Sequence, residues 1–185
     1  MTSAIAAQEV IFELDPAQTD VRFTVSDVLH TLHGAFKLKS GAITFNSVTA
    51  QASGAVTVDV TSGASGSGAR DRRMQKDILQ SEKYPEAVFT PDHVDGHLAP
   101  QGVAELQVHG LFKLHGTDHE MTLPMHVEIS NGQLVATTHF SIPYVKWGMK
   151  NPSTLLLRVS DQVQIDIRAT GHLRAPVEPV VAQDP

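Results

Sequence analysis

Along most of this chain, apolar and polar residues alternate with a period of two. "VRFTV" sets Val21, Phe23 and Val25 on one side, "AVTVDV" sets Val56, Val58 and Val60, and "QVQIDIRA" sets Val163, Ile165 and Ile167. "MTLPMHVEI" does the same with Met121, Leu123, Met125, Val127 and Ile129. This is the repeat of a strand with one apolar face and one wet face. Parallel strands are usually apolar on both faces, so the pattern predicts antiparallel sheet, and many such strands predict a barrel or sandwich.

A few segments break the rhythm. "TSGASGSG" (residues 61–68) reads as a small-residue linker. The following "ARDRRMQKDILQSEKYP" predicts a helix with Met74, Ile78 and Leu79 as its apolar stripe and Pro85 beyond its end. "FTVSDVLHTLHG" leaves room for one more helical turn between strands. The Pro-rich tail, residues 175–185, reads as loose. Residues 1–9 lack the basic start and apolar stretch of a secretory signal, although "AIAAQ" resembles the small-residue end of a cleaved one. The expected organisation is a leader remnant or flexible start over 1–9, one domain over 10–174, and the tail.

One phrase is written twice. "HGAFKLKSG" begins at His33 and "HGLFKLHG" at His109. Phe36 and Leu38 share one strand face in the first, as do Phe112 and Leu114 in the second. His33 and His109 stand three residues before their Phe, an odd offset that sets them on the opposite face. Read as hairpins, a Ser40-Gly41 turn pairs Leu38 with Ile43 and Phe36 with Phe45. In the second, a loop of two or four residues keeps Phe112 and Leu114 on the face of Met121, Leu123 and Met125; one choice, a Thr117-Asp118 turn, pairs Leu114 with Met121, Phe112 with Leu123 and His109 with His126.

Composition removes several function classes. The 185 residues carry a formal net charge of -6, which argues against a nucleic-acid partner. There is no cysteine, so thiolate catalysis and Cys-ligated zinc are excluded. No apolar run approaches the ~20 residues of a membrane-spanning helix. The ten histidines invite a metal reading. Residues four apart on a strand lie ~13 Å from each other, too far for one zinc. His115 and His119 can meet only across their turn, with His109 and His126 near them on the wet face. A metal-dependent hydrolase using these four histidines is therefore one alternative. A ligand-free module that binds an envelope protein is another. Serine-nucleophile and phosphate-cradling motifs are absent.

Taken in order, several weak motifs resemble the YceI-like, or polyisoprenoid-binding, family over about residues 10–174. They are "FELDPAQTDVRFTV", a G-x-F strand, "ARDRRM…SEKYPEAVFTP", "VHGLFKLHGTDHEMTLPM" and the closing "VSDQVQIDIRATG". The chain departs from the family at Ile78-Leu79, where a Phe-rich stretch is common, and at "PYVKWGMKNPS". The resemblance implies an all-β fold, an extended lipocalin-like antiparallel barrel of about eight strands with a short helical lid. It implies no enzyme activity and no cofactor. It implies instead a bound amphiphilic lipid, either isoprenoid, isoprenoid-quinone-like or fatty acid, in storage or transport. It also implies a periplasmic or exported setting, although a cytoplasmic one fits a chain without a signal peptide. Transient membrane or membrane-protein contact and a homodimer stay open.

Strand parity supplies the inward set for such a channel: Phe23, Phe36, Leu38, Val58, Phe112, Leu114, Met121 and Leu123. Phe140, Tyr144 and Trp147 are candidates for the rim or wall, and Arg70 and Asp71 are the polar candidates near the channel end. The competing reading of the apolar set is a solid barrel core, the commoner filling of a small barrel. For Arg70 and Asp71 it is an ion pair or helix-start contact that holds the lid.

Overall fold

The computed structural model describes residues 9–99, 101–155 and 157–174, so the expected leader remnant and tail fall largely outside it. The alternating segments form nine strands: β1 (Glu9–Leu14), β2 (Asp20–Ser26), β3 (Thr31–Asn46), β4 (Ala52–Ala64), β5 (Glu86–Asp95), β6 (Gly102–Leu114), β7 (Thr117–Ser130), β8 (Gln133–Ile142) and β9 (Val163–Arg174). Each pairs antiparallel with the next around the ring, and the β3–β4 pairing closes it. β1 and β2 occupy one position end to end, since both pair with β3 and with β9. The result is a closed antiparallel barrel of eight strands with one short helix. Closure leaves no unpaired sheet edge.

The two copies of the repeated phrase fold differently, which corrects the first hairpin. Thr31–Asn46 is one unbroken strand of 16 residues. Phe36 pairs with Val21 and Phe45 with Val10, so Phe36 and Phe45 lie far apart along the barrel. Ser40-Gly41 sits beside register slips between Ala35 and Lys37 and between Leu38 and Ser40, a bulge rather than a turn. Gly41 is needed for close approach: a Cβ there would lie 2.4 Å from Leu14 Cδ1.

The second copy is a true hairpin with a different turn. His115 (φ 52°) and Gly116 (φ 78°) form the two-residue connection. Both central residues of such a turn take positive φ, which Gly116 tolerates and the β-branched Thr117 does not. Leu114 therefore pairs with Thr117, Phe112 with His119, Val108 with Leu123 and His109 with Thr122. The shift is an even number of residues, so Phe112, Leu114, Met121 and Leu123 keep a common face, and His119 joins them.

Two further expectations change. Residues 61–64 are strand, with Ala64 paired to Ala35. The small residue at Gly63 makes room for the lid, because a Cβ would lie 2.5 Å from Phe36 Cε1 and 2.8 Å from Met74 Cε. Between β2 and β3 there is no helical turn. The Asp27 carboxylate accepts hydrogen bonds from the Leu29 (2.7 Å) and His30 (2.6 Å) amides and tightens a reverse turn instead.

The lid is α1 (Gly68–Arg73), continued by a π-helical segment (Met74–Leu79) that stops at Gln80, which has positive φ. Its wider i→i+5 winding lets Met74, Ile78 and Leu79 all face the barrel interior. Gln75 Nε2 donates to the Val60 carbonyl at 2.9 Å and fastens this segment to β4.

Candidate ligand chamber

The interior is not filled. Many inward positions carry Val, Ala or Thr, among them Val58, Val60, Ala87, Ala136, Thr138, Ala169 and Val163, and aromatic residues are only 5% of the chain. An eight-stranded barrel is just wide enough for larger side chains to close it, so small ones leave space. Two apolar cavities lie along the axis. The one beneath the lid measures about 570 Å³, and the one toward the far end about 140 Å³. Val21, Val58, Ala87, Phe112, Phe140 and Ile167 line both and form a waist between them. Phe112 and Phe140 meet there edge to face, 6.4 Å between centroids.

Strand parity placed most of the expected residues on this interior. Phe23, Phe36, Leu114, Tyr144 and Arg70 line the large chamber, and Leu38, Met121 and Leu123 line the small one. Val58, Phe112 and Phe140 belong to both. Trp147 and Asp71 line neither. Trp147 stands behind the waist, 6.1 Å from the Phe112 ring and stacked on His119. Asp71 anchors the lid: its Oδ1 accepts the Ser65 amide at 2.9 Å and the Ser65 hydroxyl. Arg70 holds the same residue, with Nε donating to Ser65 Oγ and a terminal nitrogen to the Ser65 carbonyl, both at 2.8 Å. The pair thus meets at Ser65, making contacts that fix the start of the lid.

The polar groups of the large chamber gather at its mouth. Asp27 and His30 come from the β2–β3 turn, Thr31 from the start of β3, Ser65 from just past β4, and Arg70 and Arg73 from the lid. Backbone hydrogen bonds from Leu29 and then His30 hold the Asp27 carboxyl below its ordinary value, so it is ionised at neutral pH. Deeper in, the Tyr144 hydroxyl is already committed, donating to the Ser160 carbonyl at 2.6 Å. The wall below the mouth is therefore hydrocarbon, and the ring around the opening can meet a polar group.

Residues that sequence reasoning did not assign to the site include Val163, Ile165 and Ile167, which line the chamber and carry the same alternation as the chosen set. Met149, Pro152, Leu157 and Val159 line it as well. They lie in the long β8–β9 connection, which has no period to read.

The histidines do not converge. His33 hydrogen-bonds Thr24 on the outer surface. His109 lies outside between Asp92 (2.6 Å) and Glu120 (3.0 Å), and those hydrogen bonds raise its pKa. His126 pairs outside with Glu105 and Glu128. His115 and His119 stand apart from these on the lid end, packed against Tyr84 and Trp147. Their pairing places His119 on the inner face, which corrects the expectation of four histidines on one wet face. Among the described residues, no group of three or more His, Cys, Asp or Glu could hold a metal ion.

Comparison with known proteins agrees with this architecture. Among curated proteins no relative matches. The solved structure of BcnA from Burkholderia cenocepacia is similar with a TM-score of 0.70 at 19% identity, covering 85% of this chain and 98% of that one. A polyisoprenoid binding domain from Saccharophagus degradans gives 0.72 at 18% identity, over 89% and 98%. The YCEI protein of Campylobacter jejuni gives 0.61 at 19%, over 81% and 88%. At these identities the likeness is one of fold. At the level of sequence families, residues 12–171 match the YceI-like domain, and the chain belongs to that family.

Proposed function

We propose that this protein carries an amphiphilic lipid, an isoprenoid, isoprenoid-quinone-like molecule or fatty acid, with its tail in the large chamber and its polar end at the mouth. The observation behind this reading is the chamber itself: about 570 Å³ of hydrocarbon-walled space whose polar groups are confined to one opening. That volume falls in the range of small-molecule sites, where a few placed polar groups orient an otherwise apolar ligand. Each CH₂ buried contributes ~0.8 kcal/mol, so one five-carbon isoprene unit contributes a few kcal/mol before ordering costs. A polyisoprenoid-binding domain of the same fold supports this ligand class. The protein would act as a shield in storage or transport, without chemistry on the lipid. The resemblance stated from sequence brings with it a periplasmic setting, which we include in the proposal.

Mass spectrometry of an organic extract of the purified protein tests the reading. A stoichiometric lipid, or saturable uptake of a fluorescent isoprenoid or fatty-acid probe after delipidation, is the expected result. A protein that yields no lipid and takes up no probe overturns it.

A further inference from the structure

The mouth of the chamber is built from two loops that touch. The Ser160 amide donates to the Ser26 carbonyl at 2.9 Å, and Asp27 bridges to Val159. At the tips of these loops three aliphatic side chains point into solvent: Val28 and Leu29, each 73% exposed, and Leu155, fully exposed. Their neighbours in sequence, His30, Thr31, Leu157 and Val159, line the opening. None of the three tips lines the chamber, so the ligand reading leaves them unexplained.

Charge gives this end a partner. The connection between β8 and β9, residues 143–162, holds Lys146, Lys150 and Arg158 against one acid, Asp161. The lid holds Arg70, Arg72, Arg73 and Lys76 against Asp71 and Asp77. Half of the chain's 14 Lys and Arg therefore lie in these two segments, with Arg70 and Arg73 at the opening itself, against Asp71, Asp77, Asp161 and the mouth's own Asp27, in a protein whose net charge is -6. Exposed aliphatic residues elsewhere lack this setting: Val103, 66% exposed, is paired with Glu128 across β6 and β7. Aliphatic tips within a cationic collar match the two layers of a lipid surface, hydrocarbon beneath anionic phosphate. A protein partner for the same collar would need an acidic rim around an apolar pocket, and nothing in the structure selects one.

We propose that the chamber mouth docks on an anionic lipid bilayer, with Val28, Leu29 and Leu155 entering the headgroup boundary and the lid and loop cations facing phosphate. The inference deepens the carrier reading, and rests on it, by naming the surface where the lipid is loaded and released. Among the described residues no helix is long and apolar enough to cross a membrane.

The test is co-sedimentation of the full chain with vesicles of phosphatidylcholine alone and of phosphatidylcholine mixed with phosphatidylglycerol. Binding to the mixed vesicles is expected to exceed binding to neutral ones by about tenfold and to fall with added salt. The triple variant V28S/L29S/L155S and the charge variant K150E/R158E should each lose about tenfold, while V48S/V103S, changed at other exposed sites, should bind like the parent. Probe uptake from solution, measured on the same proteins, separates the two ideas. Vesicle binding lost with uptake retained supports the docking surface. Vesicle binding kept in a parent that takes up no probe overturns the carrier reading alone. A parent that does not bind the mixed vesicles, or a triple variant that binds them equally well, overturns the docking proposal. So does a triple variant whose only change is in oligomeric state by light scattering.

Discussion

The Trp147 indole lies flat on the His119 imidazole, with ring centroids 3.7 Å apart and planes 7° from parallel. His119 Nε2 is buried there without a hydrogen-bond partner, and so is Nε2 of His115 at the adjoining turn. Burial lowers the pKa of both imidazoles below the ordinary 6.5, Lys83 adding to the effect on His115 and Asp118 opposing it on His119. A neutral ring stacks on indole without a charge to solvate, so the end of the β6–β7 hairpin is held by two uncharged histidines.

This has a signed consequence for pH. A histidine whose folded pKa is depressed contributes its full stability above 6.5 and loses it as pH falls from 6.5 through the folded value. His109 and His126 act oppositely. Their carboxylate hydrogen bonds raise the pKa, so their contribution is full below 6.5 and lost as pH rises through the folded value. Replacing His119→Phe keeps a ring on Trp147 and removes the titration. Thermal melts between pH 7.5 and 5 should show a smaller acid-side loss than the parent. An identical acid-side loss would remove His119 from the account.

Phe112 at the waist predicts a change in ligand length. Phe112→Ala joins the 570 Å³ and 140 Å³ spaces. The variant should bind longer isoprenoid tails more tightly than the parent does, read from a probe series of increasing chain length. Fully buried Phe→Ala changes cost about 3–5 kcal/mol, and a ring that already faces open space should lie at the low end, about 3 kcal/mol.

Leu114 is buried yet borders the large chamber. Leu114→Trp should therefore abolish most probe uptake while moving the melting temperature little. In a packed core the same added bulk costs about 1–3 kcal/mol. A large stability loss with unchanged uptake would place Leu114 outside the ligand space.

Asp71 predicts a lid effect. Its carboxylate accepts both the amide and the hydroxyl of Ser65. Hydrogen bonds to charged groups contribute about 1.5–3 kcal/mol when partly shielded, and solvent at this site should reduce that to about 1 kcal/mol. Asp71→Asn is expected to speed amide exchange over residues 69–84 and lower the melting temperature, with probe affinity nearly unchanged. A fall in affinity at constant stability would instead make Asp71 a headgroup contact.

His33 and His109 on the outer surface give a negative control. H33Q/H109Q should leave probe uptake within about twofold of the parent, since neither ring lines a cavity. A large loss would place one of these histidines at the ligand.

Much of the fold was legible because strand geometry is local. Phe36 and Leu38, or Phe112 and Leu114, share a face wherever their strand goes, and an even register error does not change that. This is why the inward set survived a misplaced hairpin turn. Ser40-Gly41 looked like a turn because its glycine has two possible uses, positive φ or close approach, and only Leu14, 27 residues away in sequence, shows which one applies. The β8–β9 connection was silent for a different reason: Met149, Leu157 and Val159 reach the chamber from irregular backbone, where spacing carries no direction.

By itself, then, the amino-acid order determined the period of each strand, its apolar face, the antiparallel class and the position of the lid. Tertiary structure decided the rest. Closing β3 on β4 set the barrel's girth, and girth against side-chain volume decided that the interior stays open. The positive φ values of His115 and Gly116 set a register that put His119 opposite Phe112, and packing stacked it on Trp147. Packing of Phe112 against Phe140 divided one channel into two chambers. Each of these depends on distances between residues far apart in the chain, which no local pattern contains.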